Sequence, residues 1–92
     1  MYAVVCYDVP AKRTPRYHKL LGRYLLWVQN SVFAGDVTEV QYLDLQRQVS
    51  RLRQKTDHVL WITTENRRNV RVEQWESGSQ VANTDHLGSA VT

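Results

Sequence analysis

The sequence predicts a single α+β domain. The first observation is a nearly continuous run of strand-forming residues from Tyr2 to Val9. The second is an apolar stripe at helical spacing further along the chain, and the third is a capping box that opens another helix. With 92 residues, the chain is long enough for one core and too short for a second domain that closes over a small substrate.

The first strand and the first helix are separated only by a short basic loop. The run Tyr2 to Val9 is apolar on both faces, as a central strand requires, and Pro10 ends it because proline has no N–H for the ladder. Thr14 is a candidate N-cap, since Pro15 follows in the first turn. The apolar stripe of the helix consists of Tyr17, Leu20, Leu21, Tyr24 and Leu25.

A second strand and a second helix are predicted next. The segment Val28 to Ala34 is interpreted as one strand, and Gly35 with Asp36 as the turn that ends it. Thr38 with Gln41 three residues later forms a capping box. A helix is therefore predicted from this box to about Lys55.

Two further strands are predicted after the second helix. The segment His58 to Thr64 alternates little and is expected at a central position, whereas Val70 to Glu76 alternates as a half-exposed strand does. Small and polar residues dominate from Ser77, so we expect a domain over residues 1–76 and a tail or edge strand over residues 77–92. The pattern alone leaves two orders open: βαββαβ if the loop after Phe33 is counted loosely, and βαβαββ if it is read strictly.

Composition narrows the class of protein. Twelve Lys and Arg against nine Asp and Glu give a net charge of +3, which permits a polyanionic partner without requiring one. The single cysteine, Cys6, excludes an internal disulfide and a thiolate zinc site. No apolar run approaches the roughly 20 residues that span a membrane, and the start does not read as a signal peptide. We therefore expect a soluble cytoplasmic protein.

The strand that ends in Tyr7 and Asp8 and the segment from Val28 to Phe33 are the distinctive motifs of the chain. Together with the start of the next strand, Asp57 to Val59, they resemble the CRISPR-associated Cas2 family, the smaller of the two general spacer-acquisition proteins. The resemblance covers Met1 to about Glu76. It implies a ferredoxin-like βαββαβ core with two helices on one face of an antiparallel sheet. It also implies His58 to Thr64 as the third strand, Val70 to Glu76 as the fourth, a symmetric homodimer, and a C-terminal segment that adds an edge strand to the partner.

The resemblance implies a catalytic metal site at Asp8. One carboxylate is a poor site, but Mg²⁺ (or Mn²⁺) usually takes only one or two carboxylates together with water and phosphate oxygens. A two-fold dimer brings two copies of Asp8 together. The alternative is a strand-end aspartate that accepts turn hydrogen bonds. Supporting roles fall to Ser31, which would orient water or phosphate, and to Tyr7 and Phe33, which we expect mainly to pack.

Four basic residues after Asp8 are candidates for contact with phosphates, and by default they are ordinary solvated helix charges. They are Arg13, Arg16, Lys19 and Arg23. One residue departs from the family pattern: Trp27 stands where many members carry arginine, and an indole cannot clamp a phosphate as guanidinium does. This departure weakens the case for catalysis relative to binding.

Three functions remain open at this point. The first is a metal-dependent endonuclease that acts on phosphodiester bonds of RNA or DNA. The second is a non-catalytic dimeric scaffold that bridges copies of the larger CRISPR acquisition integrase and holds duplex DNA. The third is a generic ferredoxin-like RNA-binding module, which is disfavoured because Tyr2, Trp61 and Trp75 lie on different predicted strands and form no stacking cluster.

Overall fold

A computed structural model describes residues 1–75 and shows four strands and two helices in the order βαββαβ. The elements are β1 Tyr2–Asp8, α1 Thr14–Leu21, β2 Leu26–Gln29, β3 Val32–Asp36, α2 Glu39–Leu52 and β4 His58–Thr64. Short 3-10 helices cover Ala11–Arg13 and Arg67–Asn69. This is the ferredoxin-like order, so the predicted α+β fold class is confirmed.

The strands form one sheet in the order β2-β3-β1-β4, and all neighbours are antiparallel. β1 is central, as its apolar run predicts: Val4 pairs with Ala34 on one side and with Ile62 on the other. The prediction of a central position for His58–Thr64 was wrong, because β4 is an edge strand of this sheet. Apolar and polar residues alternate little in β4 for another reason: Leu60 and Ile62 are apolar but exposed, on a sheet face that the helices leave uncovered.

Both helices cover the same face of the sheet. Ala3, Val5 and Tyr7 of β1 are buried against the apolar stripes of α1 and α2. The residues that complete this core are Tyr17, Leu21, Leu25, Phe33, Val37, Leu45 and Val49. Burial of each large apolar side chain contributes about 1.5–3 kcal/mol. The core thus lies on one side of β1, and alternate β1 residues point to the open side.

The segment predicted as one strand, Val28 to Ala34, is part of a β-hairpin. β2 ends at Gln29 and β3 begins at Val32, with Asn30 at a φ of 43° in the turn between them. Asparagine adopts this left-handed conformation more readily than most residues. The predicted turn at Gly35 and Asp36 was also wrong, since both residues belong to β3 and pair with β1.

The start of α1 differs from the prediction. Thr14 is the first residue of the helix and not its N-cap, because the preceding 3-10 helix leads directly into it. Arg13 holds the N-cap position with a helical backbone and no side-chain cap bond. The helix ends at Leu21, so Tyr24 and Leu25 of the predicted stripe follow it in a turn, although Leu25 remains buried.

The start of α2 is as predicted. The Gln41 N–H donates to Thr38 Oγ1 at 3.0 Å, and the Thr38 N–H donates to Gln41 Oε1 at 2.9 Å. The helix ends at Leu52, three residues before the predicted end near Lys55. Arg53 follows in an extended conformation, and this change of direction leads the chain towards β4.

The predicted strand Val70 to Glu76 is not formed in the described part of the chain. Residues 70–75 contain one isolated β-bridge, at Gln74, whose Nε2 donates to the Val28 carbonyl at 2.6 Å. His58–Thr64 is therefore the fourth strand of the core and not the third, because the hairpin already supplies two strands between the helices. The predicted tail over residues 77–92 lies outside the described residues. Within residues 1–75, no helix has the length and apolar character that crossing a membrane requires.

Candidate metal and nucleic-acid site

Asp8 is the last residue of β1 and lies opposite His58, the first residue of β4. Its side chain is exposed and points to the open face of the sheet, since it alternates with the buried Tyr7. Asp8 makes no side-chain hydrogen bond or ion pair with another residue of the described segment. An exposed, unpaired carboxylate has the hard oxygen donors that Mg²⁺ prefers, so the residue fits a shared cation site. Residues 1–75 contain no group of three or more His, Cys, Asp or Glu side chains placed to hold a metal.

Tyr7 and Ser31 lie at the same end of the sheet as Asp8. The Tyr7 N–H donates to the Ser31 carbonyl at 3.0 Å, so the β2–β3 turn is fixed beside the end of β1. The Tyr7 ring is buried and stacks on Tyr17, with ring centroids 5.2 Å apart, and on Phe33 at 6.4 Å. Phe33 is thus a core residue that contacts Tyr7, the neighbour of Asp8 in β1.

The Tyr7 phenol is buried without a hydrogen bond of normal geometry from any residue in the described range. Burial raises its pKa, and the Ser31 side chain opposes part of that rise. The phenol therefore stays protonated at neutral pH and is a poor candidate for a base. Its observed contacts support the interpretation of Tyr7 as a packing residue.

Arg13, a predicted phosphate ligand, is instead buried inside the protein. Its Nε donates to both carboxylate oxygens of Asp57, at 3.1 and 3.0 Å, and its Nη2 donates to the Leu52 carbonyl at 2.7 Å. Only 7% of the residue is exposed. This arginine is therefore engaged in joining the start of α1, the end of α2 and the start of β4.

The carboxylate of Asp57 receives further hydrogen bonds from its surroundings. Tyr17 Oη donates to it at 2.8 Å, the Gln54 N–H at 3.0 Å and Thr56 Oγ1 at 3.1 Å. The Arg13 guanidinium and these donors hold the pKa of Asp57 well below its usual range. Burial, together with the hydrogen bond to Asp57, raises the pKa of Tyr17 to about 12. The sequence offered no sign of this pairing, because the partners are far apart along the chain.

The other three predicted cations lie together in a groove between the helices. Arg16, Lys19 and Arg23 come from α1 and the turn after it, and Arg51 faces them from α2. We call these four residues the basic groove. Its other lining residues are Leu20, Gln48 and Leu52, and no acidic side chain from residues 1–75 lines it. None of the four forms an ion pair with another described residue. A groove with unpaired cations on both walls attracts a polyanion.

Three large apolar side chains are exposed on the sheet face opposite the helices. They are Leu26 on β2 and Leu60 and Ile62 on β4. Val4 and Cys6 of β1 lie between these strands, in register with Ile62 and Leu60. We call this surface the open face. Asp8 continues the same row of alternating β1 residues, so the carboxylate lies at one end of an uncovered apolar surface.

Trp27 and His18 lie on the helical side of the β2 edge. The Trp27 indole Nε1 donates to the Asn30 carbonyl at 3.0 Å, and its ring makes an edge contact with His18 at 5.6 Å. Trp27 is the residue at which the sequence departs from the family pattern. The aromatic residues that a sheet-face RNA module needs do not cluster: Tyr2 points to the open side, and Trp61 packs against the core on the helical side.

A family model described as CRISPR associated protein Cas2 matches residues 1–72. The CRISPR-associated endoribonuclease Cas2 of Methanosarcina acetivorans is 32% identical over 88 residues, which cover 95% of this chain and 99% of that protein. A second relative, CRISPR-associated endoribonuclease Cas2 3 of Thermodesulfovibrio yellowstonii, is 38% identical over 76% of this chain and 81% of its own length.

A solved structure of a Cas2 protein also resembles this chain. A crystal structure of Streptococcus pyogenes Cas2 at pH 6.5 superposes with a TM-score of 0.66 at 31% identity, covering 78% of this chain and 98% of that chain. The matched family model includes both helices and all four strands of the fold described above.

Proposed function

Because this chain belongs to the CRISPR associated protein Cas2 family, whose members act in CRISPR adaptation, we propose that it is a metal-dependent endonuclease of that process. It works as a cytoplasmic homodimer in which Asp8 of each copy binds a shared Mg²⁺ or Mn²⁺. Its substrate is a phosphodiester bond of RNA or DNA. The basic groove, on the helical side of the sheet, binds other phosphates of the same nucleic acid.

The observation that carries this proposal is the position of Asp8 at the end of the open face. Leu60 is 58% exposed and Ile62 is 45% exposed on that face. Exposed apolar surface of this kind marks an interface more often than a solvated surface. Packing two copies face to face about a two-fold axis buries both sets of side chains and turns both Asp8 carboxylates towards the same interface.

The chemistry of the site follows from its residues. A bound divalent cation would polarise a phosphoryl group and lower the pKa of a bound water. Asp8 supplies negative charge and oxygen ligands from each copy. The hydroxyl of Ser31, at the turn beside the end of β1, orients water or a phosphate oxygen. Arg16, the groove residue closest in sequence to Asp8, neutralises another phosphate of the bound nucleic acid.

The test is the Asp8→Asn variant, which keeps the size and the polar character of the side chain and removes its charge. We expect Mg²⁺ or Mn²⁺ to raise the Tm of the wild type, because two carboxylates at one interface repel each other without a cation. The variant loses both this metal-dependent shift and any metal-dependent cleavage of single- and double-stranded substrates.

Glu65→Gln is the matched control. It also removes one exposed carboxylate, but Glu65 follows the far end of β4, away from His58 and Asp8. Both the metal-dependent Tm shift and cleavage survive in this variant. Normal cleavage by Asp8→Asn would show that Asp8 is only a strand-end residue and that the metal site is wrong.

A second candidate function is supported by Arg13 and Trp27. The ion pair with Asp57 engages Arg13, the first predicted phosphate cation, and the indole of Trp27 cannot clamp a phosphate as a guanidinium does. Both facts favour a non-catalytic dimer that holds duplex DNA and bridges copies of the larger CRISPR acquisition integrase. In that case, wild type and Asp8→Asn co-purify equally with the integrase and neither cleaves. Failure of both proteins to co-purify with it counts against the scaffold.

A further inference from the structure

We propose that Trp27 is a stacking platform for one unpaired base at a single-stranded end of the bound nucleic acid. This inference rests on the proposed nucleic-acid binding and names the class of ligand more narrowly. It concerns a surface that neither the proposed metal site nor the basic groove includes.

The first support is the way the indole is held. The Trp27 Nε1 donates to the Asn30 carbonyl at 3.0 Å, in the turn that follows β2. His18 contacts the ring from α1 with a centroid distance of 5.6 Å and an interplanar angle of 65°. The residue nevertheless remains 53% exposed. An aromatic ring that is already fixed loses little conformational entropy when a ligand stacks on it.

The second support is the isolation of this ring. Trp27 pairs with Phe33, which is buried in the core, so the indole points to the helical side of the sheet. The other large apolar strand residues that are exposed, Leu26, Leu60 and Ile62, lie on the open face. Protein interfaces bury about 800 Å² on each partner, far more than one ring offers. One exposed aromatic ring matches a single nucleobase, because every base has a π-face that stacks on indole.

The third support is the position of α1 between the indole and the basic groove. His18 contacts Trp27 on one flank of the helix, whereas Arg16, Lys19 and Arg23 line the groove towards α2. A helix with its side chains is about 10–12 Å across. A strand whose phosphates lie on the basic groove therefore reaches Trp27 with a base near its end. Bases within a duplex have both faces covered by their neighbours, so an unpaired base is the one that is free to stack.

The experiment compares two hairpin duplexes of the same sequence, one blunt and one with a short single-stranded end that carries 2-aminopurine. The protein is the full chain with Trp61→Phe and Trp75→Phe, which leaves Trp27 as the only one of the three tryptophans. We expect the single-stranded end to quench the fluorescence of both Trp27 and the 2-aminopurine. The blunt duplex leaves Trp27 fluorescence nearly unchanged.

Affinity measurements provide the second readout, in the otherwise wild-type chain. Trp27→Leu weakens binding of the duplex with the single-stranded end by about 5-fold or more, the lower limit for loss of one stacked base. Binding of the blunt duplex is unaffected. Trp27→Phe keeps most of the preference, since a flat ring remains. Trp27→Arg abolishes the preference and makes binding of both duplexes more salt-dependent, because it adds a phosphate contact.

Three outcomes overturn the inference. One is equal weakening of both duplexes by Trp27→Leu, and another is no weakening of either; in both cases the proposed nucleic-acid binding itself stands. The third is quenching by the blunt duplex that equals the quenching by the single-stranded end, which would assign the indole to a terminal base pair. Absence of binding to both duplexes by the wild type overturns the proposed function as well.

Discussion

One carboxylate, that of Asp57, joins three elements of this protein. Its two oxygens accept hydrogen bonds from Arg13 at the start of α1 and from the Gln54 N–H after α2. They also accept one from Thr56 Oγ1, just before β4. We expect Asp57→Asn to lower the Tm by about 10 °C or more, because the variant leaves a buried guanidinium without its counter-charge. Thermal unfolding followed by circular dichroism measures the change.

Asp36→Asn is the control for this prediction. It breaks the ion pair between Asp36 and Arg67, and both of these side chains are about half exposed. Pairs at the surface contribute about 0–1 kcal/mol, so the Tm of this variant stays within a few degrees of the wild type. An equal loss in the two variants would show that the buried pair has no special role in stability.

The same cluster sets the pH dependence of stability. The folded-state pKa of Asp57 is lowered, so its contribution is present above the unfolded pKa near 4 and is lost as the pH falls below it. The pKa of Tyr17 is raised from 10.0 to about 12, so its contribution is present below pH 10 and is lost as the pH rises towards 12. Urea unfolding at a series of pH values measures the free energy of unfolding, which falls on the acid side (the acid limb) and on the alkaline side (the alkaline limb). Asp57→Asn flattens the acid limb, and Tyr17→Phe flattens the alkaline limb.

At the scale of elements, the β2–β3 hairpin depends on its turn. Asn30 has a φ of 43°, which a glycine adopts freely and a β-branched residue adopts only with strain. We expect Asn30→Val to destabilise the protein by about 1–3 kcal/mol and Asn30→Gly to change stability by less than about 1 kcal/mol. Urea unfolding measures both. A stable Asn30→Val variant would mean that the turn relaxes to another conformation.

The basic groove gives a second prediction at this scale. Arg16→Glu and Arg51→Glu each weaken the binding of every nucleic acid about equally, and each lowers the slope of log affinity against log salt by about 1. Arg47→Glu is the control on the same helix, because Arg47 is paired with Asp44 and does not line the groove. Fluorescence anisotropy over a salt series gives the slopes. A change in sequence preference would indicate base contacts and contradict this picture.

Elements with local signals were predictable from the sequence. The capping box of Thr38 and Gln41 and the bounds of His58–Thr64 are as the pattern indicated. The hairpin was missed because its turn, Asn30 followed by Ser31, lacks the Asn-Gly signal of a two-residue hairpin loop. Arg13 was misplaced for a different reason: its partner is 44 residues away in sequence, and periodicity carries no information on contacts at that separation.

At the scale of the whole molecule, the proposed dimer depends on the open face. We expect Ile62→Lys to weaken dimerisation by at least about 30-fold, the effect of losing one interface hot spot. The charge lies on an exposed side chain of the folded monomer, so secondary structure is retained. Val40→Lys is the control, because Val40 is 77% exposed on α2 and outside the open face. Sedimentation velocity measures the dimer, and a wild-type monomer at micromolar concentration would remove the shared Asp8 site.

The sheet order also determines the sequence of events as the chain is made. β1 is synthesised first, yet one of its two neighbours is β4, with Tyr2 paired to Thr64 and Asp8 to His58. A nascent chain therefore carries an apolar central strand with an unpaired edge until almost the entire core has been translated. Such edges template aggregation, and pairings between distant segments close slowly. The edge of β1 is thus open to pairing with other chains until β4 docks.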